Sequence, residues 1–168
     1  MSNLLALDLG TTMGWAVVRG GMLTSGVERF PQREHAHPGS RLQGFVAWLD
    51  AMKRKHPGID RIVYERAPLA AFRSEEAARV HAQLEGLLLA HCAEWDIVVE
   101  AIHPVTLKRL VTGSSKADKQ MMLSAVRMQY KGITDHNEAD AVALVIATSK
   151  PWHYPQQAPP EKLTDKPF

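Results

Sequence analysis

The first thirty residues hold three short apolar runs separated by turn residues, which constrains the chain to begin as an antiparallel meander. Leu4 to Leu9 is the first run, Trp15 to Val18 the second and Met22 to Phe30 the third, with Gly10 and Gly14 supplying turns between the first two. Connections this short join antiparallel strands, whereas parallel neighbours need a crossover of a dozen or more residues.

The rest of the chain alternates helix and strand. Ser40 is placed to cap a helix whose Leu42, Phe45, Val46, Leu49 and Met52 fall on one face, and His56-Pro57-Gly58 ends it. Arg61 to Glu65 is a fourth strand that closes on a carboxylate. Ser74 begins a long helix whose Val80, Leu84, Leu87 and Leu88 form a stripe, and Asp96 to Ile102 is the fifth strand. Pro104 opens and Gly113 closes a short helix. Ser115 with Asp118 forms the pattern of a capping box for a helix from Lys116 to about Tyr130, and Asp135 with Glu138 a second for a helix reaching Ser149. Residues 1–149 therefore read as one α/β domain with a five-stranded mixed sheet flanked by helices, its first three strands antiparallel and the others parallel. From Lys150 the chain carries five prolines in nineteen residues and reads as a flexible tail.

Composition narrows the class. With 45% apolar and 23% charged residues the chain suits a soluble globular protein. It has no apolar run of the roughly 18 residues that span a bilayer. The N-terminus lacks the basic segment of a signal peptide. One cysteine, Cys92, excludes an internal disulfide and fits a reducing cytoplasm. Net charge is only +2, but Lys108, Arg109, Lys116, Lys119, Arg127 and Lys131 face a single acid, Asp118, between Val105 and Lys131. That surplus suits phosphate binding or a solvated helical face.

Three acids stand in apolar surroundings on three different elements. Asp8 lies between Leu7 and Leu9, Glu65 ends the Ile62-Val63-Tyr64 strand, and Asp140 sits among Ala139, Ala141, Val142 and Ala143. Singly, each reads equally well as a strand-end or helix-surface acid. Together they favour a shared divalent cation, because buried carboxylates need a compensating charge and oxygen donors select Mg²⁺ or Mn²⁺ over zinc.

The motifs resemble a known family. Asp8-Leu9-Gly10 followed by Gly14-Trp15-Ala16, Tyr64-Glu65, and Asn137-Glu138-Ala139-Asp140-Ala141 look like the RuvC Holliday-junction resolvases, within the RNase H-like nucleases. Pro104-Val105-Thr106-Leu107-Lys108, Val111-Thr112-Gly113 and Ala117-Asp118-Lys119 are similar too, so the likeness runs from about Asn3 to Ser149. The resemblance implies an RNase H-like fold and a crossover junction endodeoxyribonuclease. It implies Asp8, Glu65 and Asp140 as ligands of a two-metal Mg²⁺ or Mn²⁺ site, Lys119 as a catalytic lysine and Lys108 as a second basic residue beside it. It further implies a homodimer acting on branched DNA, with Lys116, Phe72 and Arg73 as additional DNA contacts and neither membrane nor nucleotide cofactor involved. Phe72 would stack on a base, or pack against the following helix. The stripe of Val80, Leu84, Leu87 and Leu88 on the long helix would form the dimer interface, or else face the sheet.

One position departs from the family, whose fourth ligand, Asp or His, lies three residues before the last carboxylate. Asn137 stands there; His136 and Asp135 are the next candidates, with Asp135 favoured as an N-cap. A compact chain with this departure suits a phage-type member, in a bacterial or phage-infected cytoplasm. Three rival functions share parts of the pattern. Asp8-Leu9-Gly10-Thr11-Thr12 also resembles the phosphate loop of sugar kinases and actin-like ATPases, although those proteins clasp nucleotide between two such domains. A DNA-binding module without catalysis would leave the three acids unexplained. A flap or RNA:DNA hybrid nuclease would use the same residues.

Overall fold

A computed structural model describes residues 3–32, 34–68, 72 and 74–149. The tail from residue 150 onward and Arg73 lie outside the described residues. The strands are β1 (Leu4–Asp8), β2 (Thr12–Arg19), β3 (Met22–Arg29), β4 (Arg61–Glu65) and β5 (Val98–Ile102). The helices are α1 (Ser40–Lys55), α2 (Glu75–Glu94), α3 (Pro104–Thr112), α4 (Lys119–Gln129) and α5 (His136–Ser149). The strands form one sheet in the order β3-β2-β1-β4-β5. Pairing is antiparallel between β1 and β2 and between β2 and β3, and parallel between β1 and β4 and between β4 and β5. This is the expected mixed sheet.

Two cores lie on the two faces of that sheet. Alternation along β1 sends Leu4 and Ala6 into the core with α3, α4 and α5, and Leu5 and Leu7 into the core with α1 and α2. On β4, Val63 joins the first core while Ile62 and Tyr64 join the second. Continuing the same two-residue period, Asp8 and Glu65 fall on the α5 side. Leu7 pairs with Tyr64, so these two acids follow at the next step of the parallel register.

Helix α5 is buried along Ala139 and Ala141–Ala147, and its alanines let it lie close on the sheet. Gly14 in β2 marks the closest approach: a Cβ there would lie 1.7 Å from the Asn137 carbonyl oxygen. Only a residue without a side chain lets the first turn of α5 rest on β2.

Several local expectations need correction. Ser40 is the first helical residue rather than the cap; Gly39 caps α1 without a side-chain bond, because a turn from the His37 carbonyl to Ser40 N–H starts the helix earlier. Helix α4 starts at Lys119, with Asp118 accepting from Met121 N–H at 2.8 Å, while residues 114–117 form a turn. Strand β5 starts at Val98 because Asp96 adopts a left-handed φ of 52°. Glu138 does not close a capping box, since it accepts from the Ser25 hydroxyl at 2.7 Å. Val80, Leu84 and Leu88 are buried against the sheet with Leu87 partly so, which removes that stripe as a free interface. Among the described residues, no helix is long and apolar enough to cross a membrane.

Candidate active site

At one end of the sheet, three chain segments bring together the three acids singled out in the sequence. Asp8 ends β1, Glu65 ends the neighbouring β4, and Asp140 lies one turn into α5, which crosses the same face. Their mutual influence shows in their protonation. Burial pushes the Asp8 carboxyl well above the usual range, the charges of Asp140 and Glu65 push the same way, and Lys119 opposes them. Burial and then Asp140 raise Glu65 to about 7, against Lys108. Burial raises Asp140 too, despite Lys119, His136 and Lys108.

The same interactions place Lys119, at the start of α4, and Lys108, on α3, within electrostatic reach of the acids. Lys116 is exposed in the turn before α4. The result is a carboxylate cluster flanked by ammonium groups.

The start of α5 is fixed from two sides. Asp135 Oδ1 accepts from the backbone N–H of Asn137 at 2.7 Å and of Glu138 at 3.3 Å, so Asp135 is the N-cap. Burial would raise its carboxyl, but the N–H groups of Glu138 and Asn137 outweigh this and lower it. Asn137 also donates its amide to Asp135 Oδ1 at 3.1 Å, and it lines a cleft beside Asp8. His136 is exposed. Phe72 packs against the His81 ring, with centroids 4.9 Å apart, which is its helix-packing alternative.

Among the described residues, no three His, Cys, Asp or Glu side chains stand together at the spacing that holds one ion. The donor set nevertheless fits a hard divalent cation. Burial raises all three half-buried carboxyls, and the charge of Asp140 raises Asp8 and Glu65 further; a bound cation would offset both effects while oxygen atoms supply its shell.

This arrangement gives a pH signature to the metal-free protein. Burial and the Asp140 charge push the Glu65 carboxyl from its ordinary 4.5 up to about 7, so between those values the folded state binds the extra proton. Its contribution is therefore fully favourable below about 4.5 and is lost as pH rises through 7. Chelated protein is expected to lose up to about 3 kcal/mol of unfolding free energy over this window, and Glu65→Gln to flatten the slope. Urea titrations at several pH values measure it; an unchanged slope in Glu65→Gln contradicts the shift.

Sequence inspection missed two contributors to the cleft. His81 is 6% exposed yet lines it from α2, and Arg41 lines it from α1. A histidine on the buried face of a helix was the available signal for the first.

The sheet order β3-β2-β1-β4-β5 with helices on both faces is an RNase H-like α/β fold, and the chain is similar in fold and in sequence to RuvC proteins. No family model matches it. The crossover junction endodeoxyribonucleases RuvC of Rickettsia akari and Rickettsia bellii are each 24% identical over 148 residues, spanning 79% of this chain and 87% of theirs. The structure of T. thermophilus RuvC in complex with a Holliday junction substrate is similar with a TM-score of 0.73 at 19% identity, over 89% of this chain and 93% of that one. The yeast mitochondrial Holliday junction resolvase Ydc2 gives a TM-score of 0.60 at 15% identity, over 88% and 76%.

Proposed function

We propose that this chain is a divalent-metal-dependent endodeoxyribonuclease that resolves four-way DNA junctions by paired phosphodiester hydrolysis. The observation that carries the proposal is the convergence of Asp8, Glu65 and Asp140 at one sheet end beside Lys119 and Lys108. The names of the relatives supply the junction as substrate. Asp8, Glu65 and Asp140 would hold Mg²⁺ or Mn²⁺, with Asn137 as a neutral fourth oxygen donor. When bound, such ions polarise the phosphate and lower the pKa of water.

The chain's own residues have separate tasks around that centre. Lys119 and Lys108 counter the charge of a phosphate brought to the acids, and Lys119 stabilises the additional charge of the transition state. Two symmetric cuts require two active sites related by a two-fold axis, hence a homodimer. The buried, oxidation-resistant Cys92, whose thiol burial pushes up to about 11, suits a cytoplasmic protein.

The test is incubation with labelled four-way junction, flap and RNA:DNA hybrid under Mg²⁺ or Mn²⁺. Paired nicks on opposed junction strands are expected, together with a dimeric mass in light scattering. Faster cutting of the flap or the hybrid would assign the site to that substrate instead.

Two variants probe the surroundings of the acids. Lys119→Ala is expected to lower kcat roughly 10²-fold, the usual loss for one electrostatic contact to a transition state. A purely binding role predicts the opposite, full rate at saturating protein. Asn137→Asp is expected to lower the Mg²⁺ concentration for half-maximal cleavage several-fold, because added ligand charge tightens hard-cation sites. A metal titration identical to that of the unaltered chain would remove Asn137 from the ligand set.

A further inference from the structure

The strand end that carries Glu65 is held from the opposite face of the sheet. Successive side chains of β4 leave opposite faces, so Tyr64 and Arg66 reach α2 while Glu65, between them, turns towards α5. Both neighbours end on one acid. Tyr64 donates its hydroxyl to Glu85 Oε1 at 2.6 Å, and the Arg66 guanidinium lies 3.3 Å from the same oxygen. Glu85 stands in the middle of α2 beside Leu84 and Leu88, whose full burial fixes that stretch of helix against the sheet. The ladder to β5 continues past Glu65 with a bond from Arg66 N–H to the Ile102 carbonyl at 3.0 Å.

A buried hydroxyl needs a partner, and that need alone accounts for the Tyr64 bond. It does not account for Arg66. The Arg66 side chain is 65% exposed, where water already satisfies a guanidinium and an ion pair adds little stability. Its effect is geometric: residue 66 is tied to the same helical carboxylate that holds residue 64. The direction of a side chain follows from the backbone on both sides of it, so fixing residues 64 and 66 fixes where the carboxyl of residue 65 is aimed.

We infer that Glu85 is a positioning residue for Glu65: it clamps Tyr64 and Arg66 so that the carboxylate between them is held on the side of Asp8 and Asp140. The inference rests on the metal-dependent nuclease proposed above and deepens it by naming what aims one ligand from across the sheet. Groups that orient a ligand without touching the metal change its affinity by roughly 10- to 100-fold.

Two measurements on the full chain test it, both without DNA. The first is calorimetric titration with Mn²⁺. Tyr64→Phe and Arg66→Gln each remove one arm of the clamp, and each is expected to weaken Mn²⁺ binding about fivefold. For Arg66→Gln the sign discriminates, because removing a neighbouring cation would by charge alone tighten the binding of a metal ion. Unchanged or tighter binding in either variant overturns the inference. In the Tyr64→Phe/Arg66→Gln background, Glu85→Gln is expected to add no more than about twofold, since its two contacts are already gone. A larger further loss would mean that Glu85 acts through its own charge, and overturns the clamp. The second measurement is amide hydrogen exchange of the metal-free protein. In Tyr64→Phe and in Glu85→Gln the Arg66 N–H is expected to exchange roughly tenfold faster, with Val63 N–H unchanged, because only the strand end is freed. Equal protection of Arg66, or faster exchange of both amides together, overturns the inference. The two proposals fail separately. An unaltered chain that binds no Mn²⁺, with Arg66 loosened in the variants, would keep the clamp and discard the metal site; Mn²⁺ bound equally by all variants, with Arg66 equally protected, would do the reverse.

Discussion

Asp8→Asn and Asp140→Asn are each expected to reduce junction cleavage by roughly 10³-fold or more while raising the melting temperature of the chelated protein. The activity loss follows from removing a ligand of ions that supply several kcal/mol of transition-state stabilisation. The stability gain follows from the same carboxyls having raised pKa values, first through burial. At neutral pH each costs folding energy that a neutral amide of the same shape does not, and the cost fades as pH falls and the native carboxyl takes up its proton. Junction affinity without metal should hold or increase, because one phosphate-repelling charge is gone. Kinetics, calorimetry and gel-shift titration on the same protein batches check all three. A variant that melts lower than the unaltered chain and cleaves within tenfold of it would show that its acid is structural.

Gly14→Ala is expected to be the most damaging substitution outside the acids, destabilising the protein by roughly 3 kcal/mol or more. The added Cβ would lie 1.7 Å from the carbonyl oxygen of Asn137 and 2.4 Å from its carbonyl carbon. Backbone cannot yield as the tip of a flexible side chain can, so β2 and the first turn of α5 must separate. Asn137 and Asp140 ride on that turn, and Glu138 is tied to β3 through Ser25. Cleavage should therefore fall even at temperatures where the variant stays folded. Gly20→Ala is the control: no atom lies within 4 Å of its added Cβ, although its φ of 57° brings a modest strain of its own. Urea unfolding of the two variants, with rates measured well below their melting points, separates collapse from misplacement. Equal, small effects would mean that α5 is not held by this contact.

Much of the site was legible in the chain itself, for local reasons. Alternation of period two in β1 and β4 shows which residues share a face, so Asp8 and Glu65 are readable as acids closing apolar strands before any packing is known. Asp140, among alanines and valines, reads singly just as well as a helix-surface acid and becomes a site candidate only in company with the other two. Short connections between the first three runs dictate their antiparallel pairing, and Pro104 with Gly113 delimits α3 through fixed backbone preferences.

What the tertiary structure decided concerns partners distant in sequence. Glu138 has the spacing of a capping residue, yet Ser25 on β3, 113 positions away, takes its side chain instead. The α2 stripe has the period of an interface, and the sheet already covers it. Gly14 looks like an ordinary turn glycine until α5 is laid upon it. His81 looks like an ordinary core histidine until its Nδ1 is placed on Leu9 and its Nε2 is left facing no partner. Periodicity specifies which face an element buries, because that follows from backbone geometry within a few residues. It carries no information about which atoms meet that face, since those contacts form only when remote segments pack.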